Sequence, residues 1–301
     1  MEKLNKIPEF FIEKLENQYG KEITNQILDG FNKNKKVTIR INTLKTNKEE
    51  ILAELNKANI DYEFVNWYEN AIIINNVVER DLQNLEIYKE GKIYLQSLSS
   101  MLPPLFLEPK EGSDILDMCA APGGKTSQIA ALTNNKSNIT ACEMNNIRYE
   151  RLKYNMEKLG VKNINIMKKD SRILDDFFAF DNILLDAPCS GSGTINFNDE
   201  NTYKNFSLDL VNKTCKLQKN LLNKAVKLLK KGNTMIYSTC SILQEENEDI
   251  VQNVLNQNNV EVVPIEMNEI PLLPCKINGA ICVMPNELFE GFFVVKLRKI
   301  K

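Results

Sequence analysis

Two cysteines stand in short polar turns, each preceded by an apolar run. Cys189 lies in Asp186-Ala-Pro-Cys-Ser-Gly-Ser-Gly-Thr194, and Cys240 in Tyr237-Ser-Thr-Cys-Ser241. The preceding runs, Ile183-Leu184-Leu185 and Met235-Ile236-Tyr237, read as buried strands. In an open parallel sheet the C-terminal strand ends face the ligand crevice, so both thiols are aimed at one site. A thiolate is strongly nucleophilic and leaves readily. The chain has no histidine, so covalent or general-base chemistry falls to Cys, Asp, Glu, Lys or Tyr. A metal site is disfavoured: the seven cysteines form no Cys-x-x-Cys pair and have no histidine to join them. Cys142, Cys215, Cys275 and Cys282 read instead as small buried hydrophobes.

A third motif, Asp117-Met-Cys-Ala-Ala-Pro-Gly-Gly-Lys-Thr126, follows the first strand of the same region. Its small residues let backbone approach a ligand closely, and the helix it opens favours a carboxylate or phosphate at its N-terminus. Gly124-Lys125-Thr126 matches the end of a P-loop, but Cys119 stands where the first P-loop glycine is needed. The Gly-x-Gly-x-x-Gly dinucleotide pattern is absent. An S-adenosyl-L-methionine site fits better. It asks for an acid after the second strand, whose two oxygens match the ribose diol, and Glu143 stands there. Asp170, just after the third strand, is placed to meet the adenine amino group.

The elements that position these residues alternate strand and helix. Strands are expected at 114–118, 139–142, 164–167, 183–185, 234–237, 260–263 and 292–297, with helices from 125, over 146–159, over 207–230 and over 245–255. Gly160 and Gly232 read as C′ glycines after two of the helices. The pattern predicts an α/β fold, an open Rossmann-like sheet with helices on both faces. The first 95 residues differ. They combine a helical period over 8–31, strands at 37–41, 61–65 and 71–74, and a capping box Thr46-x-x-Glu49 opening a helix through Ala58. They read as a small α+β module, residues 1–95, ahead of a catalytic domain, residues 96–301. A helix over 96–107 is expected to pack onto the catalytic domain.

Composition narrows the setting. The formal net charge is −2, so a nucleic-acid partner must be held by local patches. Candidates are Lys33, Lys35, Lys36 and Arg40; Lys168, Lys169 and Arg172; and Lys296, Arg298 and Lys299. No run approaches the roughly 18 apolar residues of a membrane span. The opening Met1-Glu-Lys-Leu-Asn-Lys leads into no signal-peptide core. A cytoplasmic, monomeric protein with reduced thiols, no membrane partner and no metal is expected.

Cys119-Ala-Ala-Pro-Gly-Gly-Lys125, Asp186-Ala-Pro-Cys189 and Ser238-Thr-Cys240 together resemble the Sun/RsmB-type, NSUN-like RNA cytosine-C5 methyltransferases. The resemblance spans about residues 95–300, with three motifs in the family's order; Asn247 and Gly291-Phe-Phe293 also suit it. The first 95 residues are similar, more loosely, to the family's RNA-binding module. The resemblance implies a class I methyltransferase sheet, S-adenosyl-L-methionine as cofactor, and ribosomal or transfer RNA as partner. It places Cys119, Ala120, Ala121, Pro122, Gly123, Gly124, Lys125, Glu143, Arg148, Asp170 and Asp186 around the cofactor. It makes Cys240 the nucleophile and Cys189 the residue that assists release; the spacing alone allows either order.

The implied chemistry suits these residue types. Cytosine C5 attacks a methyl sulfonium only after a thiolate has added to C6. Charge building near N3 must be stabilised, and Asp186 could donate a proton there if an apolar wall keeps it neutral. The target base must be unpaired or flipped from its stack. Two other readings remain open on the residues: a non-catalytic RNA-binding or ribosome-assembly factor on the same fold, and a DNA cytosine methyltransferase.

Overall fold

A computed structural model describes residues 7–301; the first six residues, on which the signal-peptide reading rests, lie outside the described residues. The chain runs α1 (Glu9–Phe31), β1 (Val37–Ile41), α2 (Lys48–Lys57), β2 (Tyr62–Phe64), β3 (Ala71–Ile74), α3 (Glu79–Asn84), α4 (Glu86–Lys89), β4 (Ile93–Leu95) and α5 (Leu98–Leu107). It continues through β5 (Asp114–Asp117), α6 (Gly124–Leu132), β6 (Asn138–Cys142), α7 (Asn146–Lys158), β7 (Ile164–Met167), β8 (Phe180–Asp186) and α8 (Leu208–Leu228). It ends with β9 (Leu229–Thr239), α9 (Glu248–Leu255), β10 (Val260–Val263), β11 (Leu272–Leu273), β12 (Ile281–Val283) and β13 (Phe292–Lys299).

The large sheet has the order β11-β12-β13-β9-β8-β5-β6-β7, with β10 on β13. Strands β5 to β9 are mutually parallel, and β13 lies antiparallel to β9. From β5 the chain first winds outward through β6 and β7, then returns to β8 and β9 on the other side. The order therefore reverses at β5, and ligands bind such a sheet at the strand ends beside that reversal. Alternation along the strands feeds two cores. Ile115, Leu184, Ile236 and Val294 pack with α5 and α6; Leu116, Ile183, Leu185, Tyr237 and Val295 pack with α8 and α9. This is the Rossmann-like α/β architecture that the alternation of elements predicts.

The small antiparallel sheet has the order β2-β3-β1-β4 and closes over Ile51 and Leu55 of α2. Helix α1 buries Phe11, Leu15, Tyr19, Ile27 and Phe31 in the core that also holds α8, not against this sheet. Three local expectations shift. The α2 cap is Asn47, whose side chain accepts from Glu50 N at 2.9 Å, while Thr46 Oγ1 donates to the Glu50 carboxylate. The helix after β4 begins at Leu98 with Ser97 as its cap, because residues 93–95 are drawn into β4. Gly232 is not a helix terminator: α8 passes straight into β9 at Leu229, and Gly232 makes a left-handed turn within β9, with φ +82°. Gly160, with φ +71°, does follow α7 as a C′ glycine.

Candidate active site

Strand β5 ends on Asp117, which is 1 % exposed. Its Oδ1 accepts from Cys119 N at 3.3 Å and its Oδ2 from the Thr126 hydroxyl at 2.7 Å. The carboxylate thus ties the first and last residues of the turn together. Burial, with the nearby charge of Asp186, pushes this carboxyl up to about 6 against the opposing bond from Thr126. Within the turn the Ala121–Pro122 bond is cis, and Gly123 takes φ +107° as the residue before α6. A Cβ on Gly123 would stand 2.4 Å from Met156 Cε, so α7 closes directly onto the turn. Arg148 donates to Ala121 O at 2.7 Å and Asn155 to Pro122 O at 2.7 Å.

A cavity of about 320 Å³ opens on one side of this turn, lined by Cys119, Glu143, Arg148, Asp170 and Pro188 among others. Glu143 is buried at the end of β6; Oε1 accepts from Asn145 N at 2.8 Å, and Oε2 lies 3.5 Å from Arg148 Nη1. Asp170 follows β7, and its bonds to Arg172 hold its carboxyl below the usual range. On the other side lies a cavity of about 300 Å³, reached by Cys119, Ala120, Ala121, Pro122, Gly124 and Lys125 of the turn. Asp186, Cys240, Tyr94, Glu290 and Phe292 are among the other residues of its wall. Cys119 lines both cavities. Its thiol is pushed well up by burial and by the charges of Asp117 and Asp186, which suits a wall rather than a nucleophile.

Lys125 reaches from the start of α6 across the second cavity. Its Nζ lies 2.8 Å from Asp186 Oδ2, donates to Ser100 Oγ at 2.7 Å and sits over the Phe292 ring. Burial alone would lower this ammonium, but the Asp186 carboxylate raises it above its ordinary value. The Ser238 hydroxyl donates to Asp186 Oδ1 at 2.8 Å. Asp186 is therefore engaged by an ammonium and a hydroxyl rather than set against an apolar wall. It lines the cavity shared with Cys240 rather than the one shared with Glu143.

The two thiols meet. Cys189 Sγ and Cys240 Sγ lie 3.0 Å apart, and both side chains are free thiols. Three loops fix this contact. Gly193 N donates to Cys240 O at 3.0 Å, Gly291 N to Gly193 O at 2.8 Å, and the Ser192 and Ser241 hydroxyls bond at 2.7 Å. Asn247 accepts from Thr239 Oγ1 and donates to Ser241 O, clasping the Cys240 turn from below. The Cys189 thiol is pushed well up by its bond to Cys240, by burial and by the charges of Cys240 and Glu246.

The structure thus gathers the anticipated residues into two adjoining cavities, apart from Gly123, which packs against α7, and Cys189, which stands behind Cys240. Asp117 and Glu246 are site residues that sequence reasoning passed over. Asp117 carried a signal, an acid ending a strand; Glu246 sits in the run Glu245-Glu246-Asn247-Glu248, which marks none of its members. The basic patches are mostly consumed by structure. Arg40 is fully buried, Lys35 caps the carbonyls of Asn286 and Phe289, Arg172 pairs with Asp170, and Lys296 is buried against Glu108. Arg298 pairs with Glu261, and Lys299 donates to the carbonyls of Lys227 and Leu229.

Sheet order, turn and strand-end acids define a Rossmann-like methyltransferase fold. Comparison with known proteins narrows the class. The family model "16S rRNA methyltransferase RsmB/F" matches residues 104–298, and the "Methyltr_RsmF/B-like, ferredoxin-like domain" matches residues 7–80. The chain belongs to the RsmB/F methyltransferase family. It is 34% identical over 276 residues to ribosomal RNA small subunit methyltransferase F of Aeromonas salmonicida, covering 87% of this chain and 57% of that relative. The chain therefore spans less than two thirds of that relative's length. Among solved structures, a methyltransferase homolog protein from Pyrococcus horikoshii superposes with a TM-score of 0.83 at 32% identity, covering 98% of this chain and 100% of that one. NSun6 from Pyrococcus horikoshii gives a TM-score of 0.88 at 25% identity, covering 98% of each chain. Among the described residues no helix is long and apolar enough to cross a membrane, and no group of three or more His, Cys, Asp or Glu side chains could hold a metal ion.

Proposed function

We propose that the chain transfers a methyl group from S-adenosyl-L-methionine to C5 of a cytosine in RNA through a covalent bond between Cys240 and C6. The observation that carries this reading is the 3.0 Å contact between Cys189 and Cys240 beside a cavity that also holds Asp186 and Lys125. The residues fit the cofactor. Glu143 offers a buried carboxylate for the ribose diol, Asp170 a second acid for the adenine, and the Cys119–Lys125 turn a close backbone approach. When bound, S-adenosyl-L-methionine supplies an electrophilic methyl group.

The chain's own groups supply the rest. The Cys240 thiolate adds to C6 and makes C5 nucleophilic. Cys240 gives its proton to solvent, and the Cys189 thiol donates a hydrogen bond to the thiolate so formed. The Lys125 ammonium and its partner Asp186 face the ring and offset charge that builds on it. Once C5 carries the methyl, its proton must leave and the Cys240–C6 bond must break. Cys240 is then a neutral thioether, so the bond and the charge that push the Cys189 thiol up are gone. Cys189 then loses its own proton to solvent and, as a thiolate, directly or through a water, takes the C5 proton, and Cys240 departs as a thiolate.

Residues 1–95 are proposed as the RNA-holding module and 96–301 as the catalytic domain. Similarity to a small-subunit methyltransferase favours ribosomal RNA. A cytoplasmic site of action suits the seven free thiols. The test is methyl transfer to total RNA from cells lacking the gene, with bisulfite sequencing to locate the product and matched DNA as a second substrate. Cys240→Ala is expected to abolish transfer, and Cys189→Ala to leave a protein–RNA adduct on a denaturing gel. Full activity of Cys240→Ala would overturn its role as nucleophile. An adduct in Cys240→Ala but not in Cys189→Ala would exchange the two roles, and a product only on DNA or transfer RNA would redirect the substrate.

A further inference from the structure

Glu246 is 0 % exposed, yet among the described residues no lysine or arginine forms an ion pair with it. A carboxylate buried without a counter-ion is costly unless donors saturate its oxygens. Here they do. Ser190 N donates to Oε1 at 2.8 Å and the Ser190 hydroxyl to Oε2 at 2.5 Å. Thr214 Oγ1 donates to Oε1 at 2.6 Å and Gln218 Nε2 to Oε1 at 3.2 Å, both from α8. Gln218 also donates to Pro188 O at 2.9 Å. The residues on either side of Cys189 are therefore both held by this one cluster.

Glu246 also belongs to the segment after Cys240. Its own carbonyl accepts from the Tyr237 hydroxyl at 2.6 Å, and its neighbour Asn247 clasps Thr239 and Ser241. The carboxylate grips the Cys189 loop while its backbone is fixed to the strand that presents Cys240.

We propose that Glu246 is a positioning residue for the release step: it sets Cys189 against Cys240 by holding Ser190 at two points. This rests on the release role given to Cys189 above. Glu246→Gln keeps the volume but replaces one acceptor with an NH₂ that opposes its donors. Ser190→Ala removes only the hydroxyl contact and keeps the backbone one, so it tests the idea should Glu246→Gln fail to fold. A misplacement of about 1 Å at a reacting group costs on the order of 100-fold in rate.

The experiment follows denaturation-resistant adduct and turnover together, with total RNA from cells lacking the gene and labelled S-adenosyl-L-methionine. Both variants are expected to accumulate adduct, at least about fivefold above wild type, with kcat falling and KM for the cofactor unchanged. In a Cys189→Ala background neither substitution should raise the adduct further, since both act through that thiol. If Cys189→Ala accumulates adduct and Ser190→Ala and Glu246→Gln do not, Glu246 has no positioning role. Additional adduct in the double variants also overturns it. If Cys189→Ala itself gives no adduct, the release role fails first.

Discussion

Lys125 Nζ lies 2.8 Å from Asp186 Oδ2, joining the cofactor turn after β5 to the end of β8 across the cavity that Cys240 lines. Their other hydrogen-bond partners, Ser100 for Lys125 and Ser238 for Asp186, contribute hydroxyls, not charge. The pair gives the cavity a fixed donor beside a fixed acceptor.

Lys125→Met is expected to reduce kcat/KM for methyl transfer by about 100-fold, the cost of removing one preorganised donor from a water-poor site. It leaves Asp186 without its counter-ion, so Lys125→Arg should retain more activity than Lys125→Met. Initial rates on total RNA decide the matter. Activity within threefold of wild type for the Met variant would remove Lys125 from the chemistry.

Asp117 gives a pH signature. Its carboxyl is pushed from 3.8 up to about 6, chiefly by burial. The folded chain therefore holds this proton more tightly than the unfolded chain. Stabilisation from the group is complete below pH 3.8 and is lost as pH rises through about 6. Asp117→Asn does not titrate. The stability of wild type relative to that variant should fall between pH 4 and pH 7, by about 3 kcal/mol at most. Urea midpoints of both proteins across that range make the comparison; a constant gap would contradict the buried-carboxyl reading.

Much of this site is legible in the sequence, and the parts that are not share a cause. Ile164–Met167 and Val260–Val263 have the bounds that their alternating apolar residues predict. β4 and β12 have three residues each, too few to show a period, and exist through their pairing with β1 and β13. Arg40 shows the same limit in a side chain. Next to Lys33, Lys35 and Lys36 it reads as part of a phosphate-binding patch. Along β1, Ile39 and Ile41 face the small module's core, while Thr38 and Arg40 face Gln96. That second face is covered by α6, whose Ser127 hydroxyl accepts from Arg40 at 2.7 Å. Alternation shows that a strand has two faces; only the tertiary packing shows that both are buried. Cys189 and Cys240 are the opposite case, since each motif ends a strand and neighbouring parallel strands must bring those ends together.

Gly193→Ala tests whether the three loops around the thiols work as one unit. A Cβ at this position would stand 2.0 Å from Gly291 O and 2.5 Å from Gly291 C, both backbone atoms that no rotamer change can move. Relief requires the 193 and 291 segments to part, which breaks the Gly291 N to Gly193 O bond and loosens the one from Gly193 N to Cys240 O. Overpacking of this kind costs about 1–3 kcal/mol. The effect on activity should be larger, because the Cys240 carbonyl loses the contact that fixes its turn; a fall of about 100-fold in kcat is expected. Gly112→Ala is the control for destabilisation away from the thiols. Unlike Gly193 it has a positive φ, +80°, but its Cβ would meet nothing within 4 Å and it lies at the far end of β5. It should lower thermal stability and leave kcat near wild type. Equal loss of activity in the two variants would show that general destabilisation, not the Gly193–Gly291 approach, accounts for the result.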